Sequence, residues 1–275
     1  MTSAAAAKRP PSGIFARPEG CASRLPVLRT RIRYVGHATV LVDLDGVRLL
    51  TDPLLRNRVA HLRRAAPVSG HPQRGVDAVL VSHAHYDHLD LPSLEKLGKK
   101  LPIVVPRGLG GLLRKRRFES VLEVGVGETI SIGALEIRAV PAEHGRSRGP
   151  FGASADPIGY VVSGSKSVYF AGDTDLFDEM RELGPVDLAL VPISGWGPGV
   201  GRGHLDPARA AEAVARIRPG LVVPIHWGTY FPIHLGLTRV PSFVGVPPIE
   251  FLAALKETAP EVPVRVLQPG EELEL

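Results

Sequence analysis

The chain has 275 residues, a net charge of +5, 44% hydrophobic residues and 22% charged ones. That length suits one large domain or two small ones, and the composition is that of a globular protein, not of a fibre or a coil. No apolar run approaches the roughly 20 residues of a membrane helix, because the longest candidate, 186–193, carries Asp187 and Pro192. The opening MTSAAAAKRPPSG lacks the apolar stretch of a secretory signal, and the single Cys21 cannot form an internal disulfide. A cytoplasmic location is therefore expected.

In chain order, residues 1–28 are rich in Ala, Pro, Gly and Arg without periodicity, and are expected to form a disordered or loosely docked arm before one domain over 29–275. Strands are predicted at 31–35, 39–44 and 47–51. Asp45-Gly46 joins the last two, a hairpin signal because both residues tolerate positive φ. The short apolar run 77–82 reads as a strand buried on both faces. Asp90 is an N-cap for a helix over 91–97, with Pro92 in the first turn where a missing amide costs little. A strand at 101–105 and a short helix at 108–115 follow. Further strands are predicted at 121–124, 129–132, 135–140, 158–163, 167–171 and 187–192. Asp206-Pro207 opens a helix with apolar residues at Ala210, Val214 and Ile217, and Pro219-Gly220 stops it. Strands at 221–225 and 264–267 flank a helix over 249–257. Basic clusters at Arg56, Arg58, Arg63 and Arg64, and at 114–117, are read as solvated surface charge.

The chemistry gathers in Ser82-His83-Ala84-His85-Tyr86-Asp87-His88-Leu89-Asp90, directly after a buried strand. His83, His85, Asp87 and His88 lie within six residues. A regular helix would scatter them around its surface, whereas a tight loop at a strand end can aim several at one point. Imidazole and carboxylate together suit zinc, manganese or iron. His144, Asp173 and His226 each stand at the end of a later predicted strand, in Ala142-Glu143-His144, Gly172-Asp173-Thr174 and Pro224-Ile225-His226-Trp227-Gly228.

The His83-x-His85-x-Asp87-His88 spacing, with these later residues in this order, resembles the metallo-β-lactamase superfamily over residues 30–270. Gly36-His37-Ala38-Thr39, Thr51-Asp52-Pro53 and His226-Trp227-Gly228 narrow the resemblance. They are similar to the branch holding N-acyl-phosphatidylethanolamine-hydrolysing phospholipase D and ascorbate-6-phosphate lactonase, although Gly145 stands where the phospholipase relatives carry tryptophan. The resemblance implies an αββα sandwich of two mixed sheets with outer helices. It also implies two divalent ions, zinc before manganese or iron. His83, His85 and His144 would hold one, Asp87, His88 and His226 the other, and Asp173 would bridge them.

Two such ions generate hydroxide near neutral pH, and Asp87 can carry the proton. His37, Asp52, Arg148, His204 and Tyr230 are candidates to support the ligands or touch substrate. The segment 229–248, with Tyr230, Phe231 and Phe243, is expected to wall the substrate pocket, the alternative being that its aromatics pack on the core. The expected reaction is hydrolysis of a small or lipid-like anionic phosphodiester, in the manner of a phospholipase D. The alternatives are a lactonase or related C–O hydrolase acting on a phosphorylated metabolite, and a metal-binding interaction protein with little turnover. No dedicated nucleic-acid module is visible, and a homo-oligomer is compatible with the sequence.

Overall fold

The computed structural model describes residues 29–149, 152–195, 197, 199, 201–236 and 239–275. The N-terminal arm expected at 1–28 lies outside them. In chain order the elements are β1 (Arg31–Gly36), β2 (Thr39–Leu44), β3 (Val47–Thr51), β4 (Arg58–Val59), β5 (Leu62–Arg64), β6 (Ala78–Leu80), α1 (Leu91–Leu97), β7 (Ile103–Pro106), α2 (Gly110–Lys115), β8 (Val121–Val124), β9 (Thr129–Ile132), β10 (Leu135–Pro141), β11 (Ile158–Ser163), β12 (Ser167–Phe170), β13 (Leu188–Pro192), α3 (Pro207–Ile217), β14 (Val222–Ile225), β15 (Tyr230–Pro232), α4 (Pro247–Thr258) and β16 (Glu272–Glu274). A seven-stranded sheet has the order β16-β1-β2-β3-β6-β7-β8, and a six-stranded sheet the order β14-β13-β12-β11-β10-β9. Both are mixed, and a small third sheet joins β15, β5 and β4.

Side-chain alternation explains the layering. On β6 and β7, Leu80 and Val104 join the large core that also contains Ile137, Tyr160 and Leu190 of the second sheet. Their neighbours Val79, Val81, Ile103 and Val105 turn the other way and meet Leu94 of α1 and Leu113 of α2. These strands are buried on both faces, which is why the run 77–82 carries no polar alternation. On the far side, Ala210, Val214 and Ile217 of α3 and Phe251 and Leu255 of α4 complete the main core. Tyr160 bridges the sheets, its hydroxyl donating to the carbonyl of Val81 at 2.7 Å.

Most of the predicted punctuation is present. Asp45 and Gly46 both have positive φ between β2 and β3. Asp90 caps α1 by accepting from the Ser93 amide at 3.1 Å, and Asp206 caps α3 by accepting from the Arg209 amide at 2.8 Å. Three expectations are corrected. The strand predicted at 264–267 is a single bridge from Val264 to Val222; the last strand is instead β16, which pairs antiparallel with β1. The helix expected over 249–257 starts two residues earlier, with Pro247 and Pro248 in the first turn of α4. Arg64 is buried, not solvated: it donates to the carbonyls of Val35 and Leu54 and to the Tyr230 hydroxyl. Arg56, in the same basic cluster, is bidentate on Asp90, so it ties the β3–β4 connection to the cap of α1.

Candidate metal centre

The site residues all follow the carboxyl ends of strands along one edge of the sandwich. His37 follows β1, Asp52 follows β3 and the His83–His88 loop follows β6. From the second sheet, His144 follows β10, Asp173 follows β12 and His226 follows β14. All seven residues expected as ligands are brought together. His85 Nδ1 lies 3.1 Å from His83 Nε2 and 3.0 Å from His144 Nε2. Beside this trio, His226 Nε2 lies 3.3 Å from His88 Nε2, which is 3.8 Å from Asp87 Oδ2. Asp173 stands between the two groups, with Oδ2 3.1 Å from His88 Nε2 and 3.9 Å from His144 Nε2, and Oδ1 3.1 Å from His226 Nε2. His83–His85–His144 and His37–Asp87–His88–His226 each converge tightly enough to hold a metal ion.

The outer contacts decide which ring nitrogens face inward. His144 Nδ1 is 2.5 Å from the carbonyl of Gly203, and His226 Nδ1 is 2.9 Å from that of Ser194. A carbonyl only accepts, so both Nδ1 atoms carry the proton and both Nε2 atoms offer a lone pair. His88 Nδ1 faces Asp52 Oδ2 at 2.6 Å, with the same result. His85 Nδ1 thus has a ring nitrogen on either side and can donate to at most one of them. Spacings near 3 Å are close to the roughly 3.3 Å separating nitrogens on a tetrahedral zinc. Asp173 Oδ1 is buried and has no hydrogen-bond donor among the described residues.

Electrostatics agree with a cation-binding site. Burial pushes His83 well below the usual histidine range and His226 down to about 3, and it lowers His85 and His144 as well, so these rings stay neutral. His88 runs the other way: burial opposes its protonation, but Asp173, Asp87 and Asp52 outweigh it and raise the pKa well above normal. Burial would raise Asp87 and Asp173, yet the neighbouring imidazoles hold both well below the ordinary carboxylate range. Left to itself, the cluster draws positive charge inward, and a divalent ion is the species its donors fit.

The supporting candidates divide. His37 approaches Asp87 Oδ2 at 3.0 Å through Nε2, and its ring lies 3.8 Å from that of His226. His204 reaches to 3.5 Å from Asp173 Oδ2 and packs edge-on against His144, so it borders the centre. Arg148, a candidate to support the ligands or touch substrate, takes the first role: its Nη1 donates to the carbonyls of Ala84 and Leu89, both at 2.8 Å, and its guanidinium covers the Tyr86 ring. It braces the ligand loop by satisfying a backbone carbonyl on either side of His85–His88. Tyr230 and Phe231 are buried, and Tyr230 packs with Leu54, Val59 and Leu62 while its hydroxyl donates to the Arg56 carbonyl. The core reading of the 229–248 segment therefore holds for these two.

The wall of the cleft comes from elsewhere, namely the β4–β5 hairpin. A cavity of about 260 Å³ lies over His85, Asp87, Asp173 and His204, faced by Val59, Ala60, His61, Leu62 and Tyr86. Neither the hairpin nor His61 stands out in the sequence, since strands this short, at its two arms, leave no periodic trace. Ser82 and Asp175 were also missed. Ser82 contacts both Asp52 and His83. The Asp175 carboxylate accepts from the Gly203 amide at 3.3 Å, steadying the carbonyl that orients His144. Only the place of Ser82 directly before His83 hinted at its role.

The comparisons agree with this geometry. The model of the β-lactamase superfamily domain matches residues 47–227. A UPF0173 metal-dependent hydrolase of Methanopyrus kandleri is 34% identical over 253 residues, covering 89% of this chain and 99% of that one. An N-acyl-phosphatidylethanolamine-hydrolyzing phospholipase D of Caenorhabditis elegans is 32% identical over 225 residues, covering 72% of this chain and 63% of that longer protein. Among solved structures, the metallo hydrolase Igni18 of Ignicoccus hospitalis superposes with a TM-score of 0.69 at 26% identity, over 90% of this chain and 98% of that one. With its strand-end cluster of histidines and aspartates on a two-sheet sandwich, the chain belongs to the metallo-β-lactamase superfamily and is one of its metal-dependent hydrolases.

Proposed function

We propose that the centre holds two divalent ions, zinc before manganese or iron, and that the enzyme cleaves a phosphodiester bearing an apolar group. The observation that carries this reading is the pair of ligand clusters on either side of the Asp173 carboxylate, whose Oδ2 lies 3.9 Å from His144 Nε2 of one cluster and 3.1 Å from His88 Nε2 of the other. His83, His85 and His144 would hold one ion, and Asp87, His88 and His226 the other. Bound there, the ions would supply hydroxide near neutral pH and polarise the scissile group.

The chain's own residues do the rest. Asp87, held by His37 and open to the cleft, is placed to take a proton during attack or return one to the leaving group. His204 borders the same cleft and is placed to donate to a substrate oxygen. Val59, Ala60, Leu62 and Tyr86 offer an apolar surface to the organic part and exclude water from it. The phosphodiester class is supported by that apolar wall and by the similarity to a phospholipase D.

Elemental analysis of protein purified without chelators, followed by assays on bis(p-nitrophenyl) phosphate, a lipid phosphodiester and a panel of lactones, tests both parts. Two metals per chain and phosphodiester turnover are expected. One metal would overturn the dinuclear assignment, and turnover of lactones alone would overturn the substrate class and favour the lactonase alternative.

A further inference from the structure

Asp52 is fully buried at the end of β3, with a positive φ of 31°. It does not line the cleft, yet its side chain makes three short contacts. Its Oδ1 accepts from the Ser82 amide at 2.7 Å. Its Oδ2 accepts from the Ser82 hydroxyl at 2.5 Å and faces His88 Nδ1 at 2.6 Å. The Ser82 oxygen in turn lies 2.9 Å from His83 Nδ1.

The direction of every bond in this set follows from one acceptor. A carboxylate cannot donate, so His88 Nδ1 and the Ser82 hydroxyl both point protons at Oδ2. With its own proton committed, the Ser82 oxygen is left to accept from His83 Nδ1. Both rings therefore present an Nε2 lone pair to the centre, and the two rings belong to different ligand clusters. We infer that Asp52 is a positioning residue that fixes the tautomer of one ligand in each metal site: directly for His88, and through Ser82 for His83. This rests on the two-ion reading above.

An amide in place of the carboxylate cannot reproduce the pattern. With its NH₂ at the Oδ1 position it meets the Ser82 amide donor head-on. With its NH₂ at the Oδ2 position it donates to His88 and Ser82, so Ser82 donates onward to His83. Both rings are then driven to carry their proton on Nε2, facing the ions. Asp52→Asn should thus impair both sites, whereas Ser82→Ala breaks only the branch to His83.

The test is stepwise zinc release against a chelator of graded strength, with imidazole tautomers read by long-range ¹H–¹⁵N correlation and folding checked by amide dispersion. The wild type should release two ions. Ser82→Ala should weaken one ion about 10–100-fold and leave the other within a few-fold, the range expected for loss of a supporting partner. Asp52→Asn should weaken both by that factor, with Nε2–H signals on His83 and His88. If the wild type binds only one ion, the two-ion reading fails whatever the variants do. If it binds two and Asp52→Asn weakens only one, or Ser82→Ala weakens both or neither, the shared control by Asp52 is refuted. Should Asp52→Asn fail to fold, Ser82→Ala alone still decides, since its predicted effect on a single ion is specific to the relay.

Discussion

Asp87 meets two demands at once, as a neighbour of His88 in the metal centre and as the carboxylate open to the cleft. Asp87→Asn keeps the size and the contact with His37 but removes the charge and the ability to carry a proton. Turnover should fall by roughly 10²–10⁴-fold, with far-UV circular dichroism unchanged; a metallated variant with near-normal turnover would remove Asp87 from the mechanism. At this scale the sequence was informative because the chemistry is local: four candidate ligands crowd one loop, and the remaining three candidates stand beside a glycine or tryptophan at strand ends. The network behind them was less legible. Asp52 could be suspected from Thr51-Asp52-Pro53, but Ser82 has no distinctive pattern, and a carbonyl partner such as that of Gly203 or Ser194 carries no residue identity at all. Arg148 illustrates the converse: an arginine near a metal loop suggests anion binding, and only its two carbonyl contacts show it serving the backbone.

Two elements divide the work once assigned to the segment after His226. β15 is structural. Tyr230 lies beneath the hairpin, receives the Arg64 guanidinium and stacks edge-on near His37. Tyr230→Ala should cost about 3–5 kcal/mol in thermal or denaturant unfolding, without altering the ratio of rates on a short and a long substrate. The β4–β5 turn is the opposite case. His61 is exposed at its tip and faces the cleft. His61→Ala should change stability by about 0.5 kcal/mol or less and shift KM between those same two substrates; unchanged KM values on both would remove the hairpin from substrate recognition. The long elements were readable because periodicity and caps extend over several turns or pleats. The hairpin, β15 and β16 were not, since each is three residues or fewer and exists through its pairing partners more than through its own pattern. β16 is half-exposed Glu-Leu-Glu, and it becomes a strand because β1 offers it a free edge.

Taken as a whole, the molecule is two sheets joined along a buried interface, with the centre at one end of the seam. Each ligand cluster draws from both sheets, and the Asp87 and Asp173 side chains line the same cleft there. Chelation should therefore lower the melting temperature as well as abolish activity, and added zinc should restore both. A metal present at 100 times its dissociation constant contributes about 2.7 kcal/mol to the folded state. Hydrogen exchange should quicken near His83–His88 and His226 after chelation, and change little at the far edge around β9. Equal melting curves with and without chelator would show that the two sheets need no metal to stay docked. No helix is long and apolar enough to cross a membrane among the described residues.

That seam also sets an order of events during synthesis. His83 and His85 emerge early but must await His144, and Asp87 and His88 must await His226, which follows β14 near the end of the chain. A nascent polypeptide that ends after β8 carries His83 and His85 of one proposed set and Asp87 and His88 of the other, and nothing yet from the second sheet. On the two-ion reading, full charging with metal would thereby be deferred until the second sheet has been made and has closed on the first. On the proposed assignment, a chain ending before residue 226 can complete the first set but lacks His226 of the second.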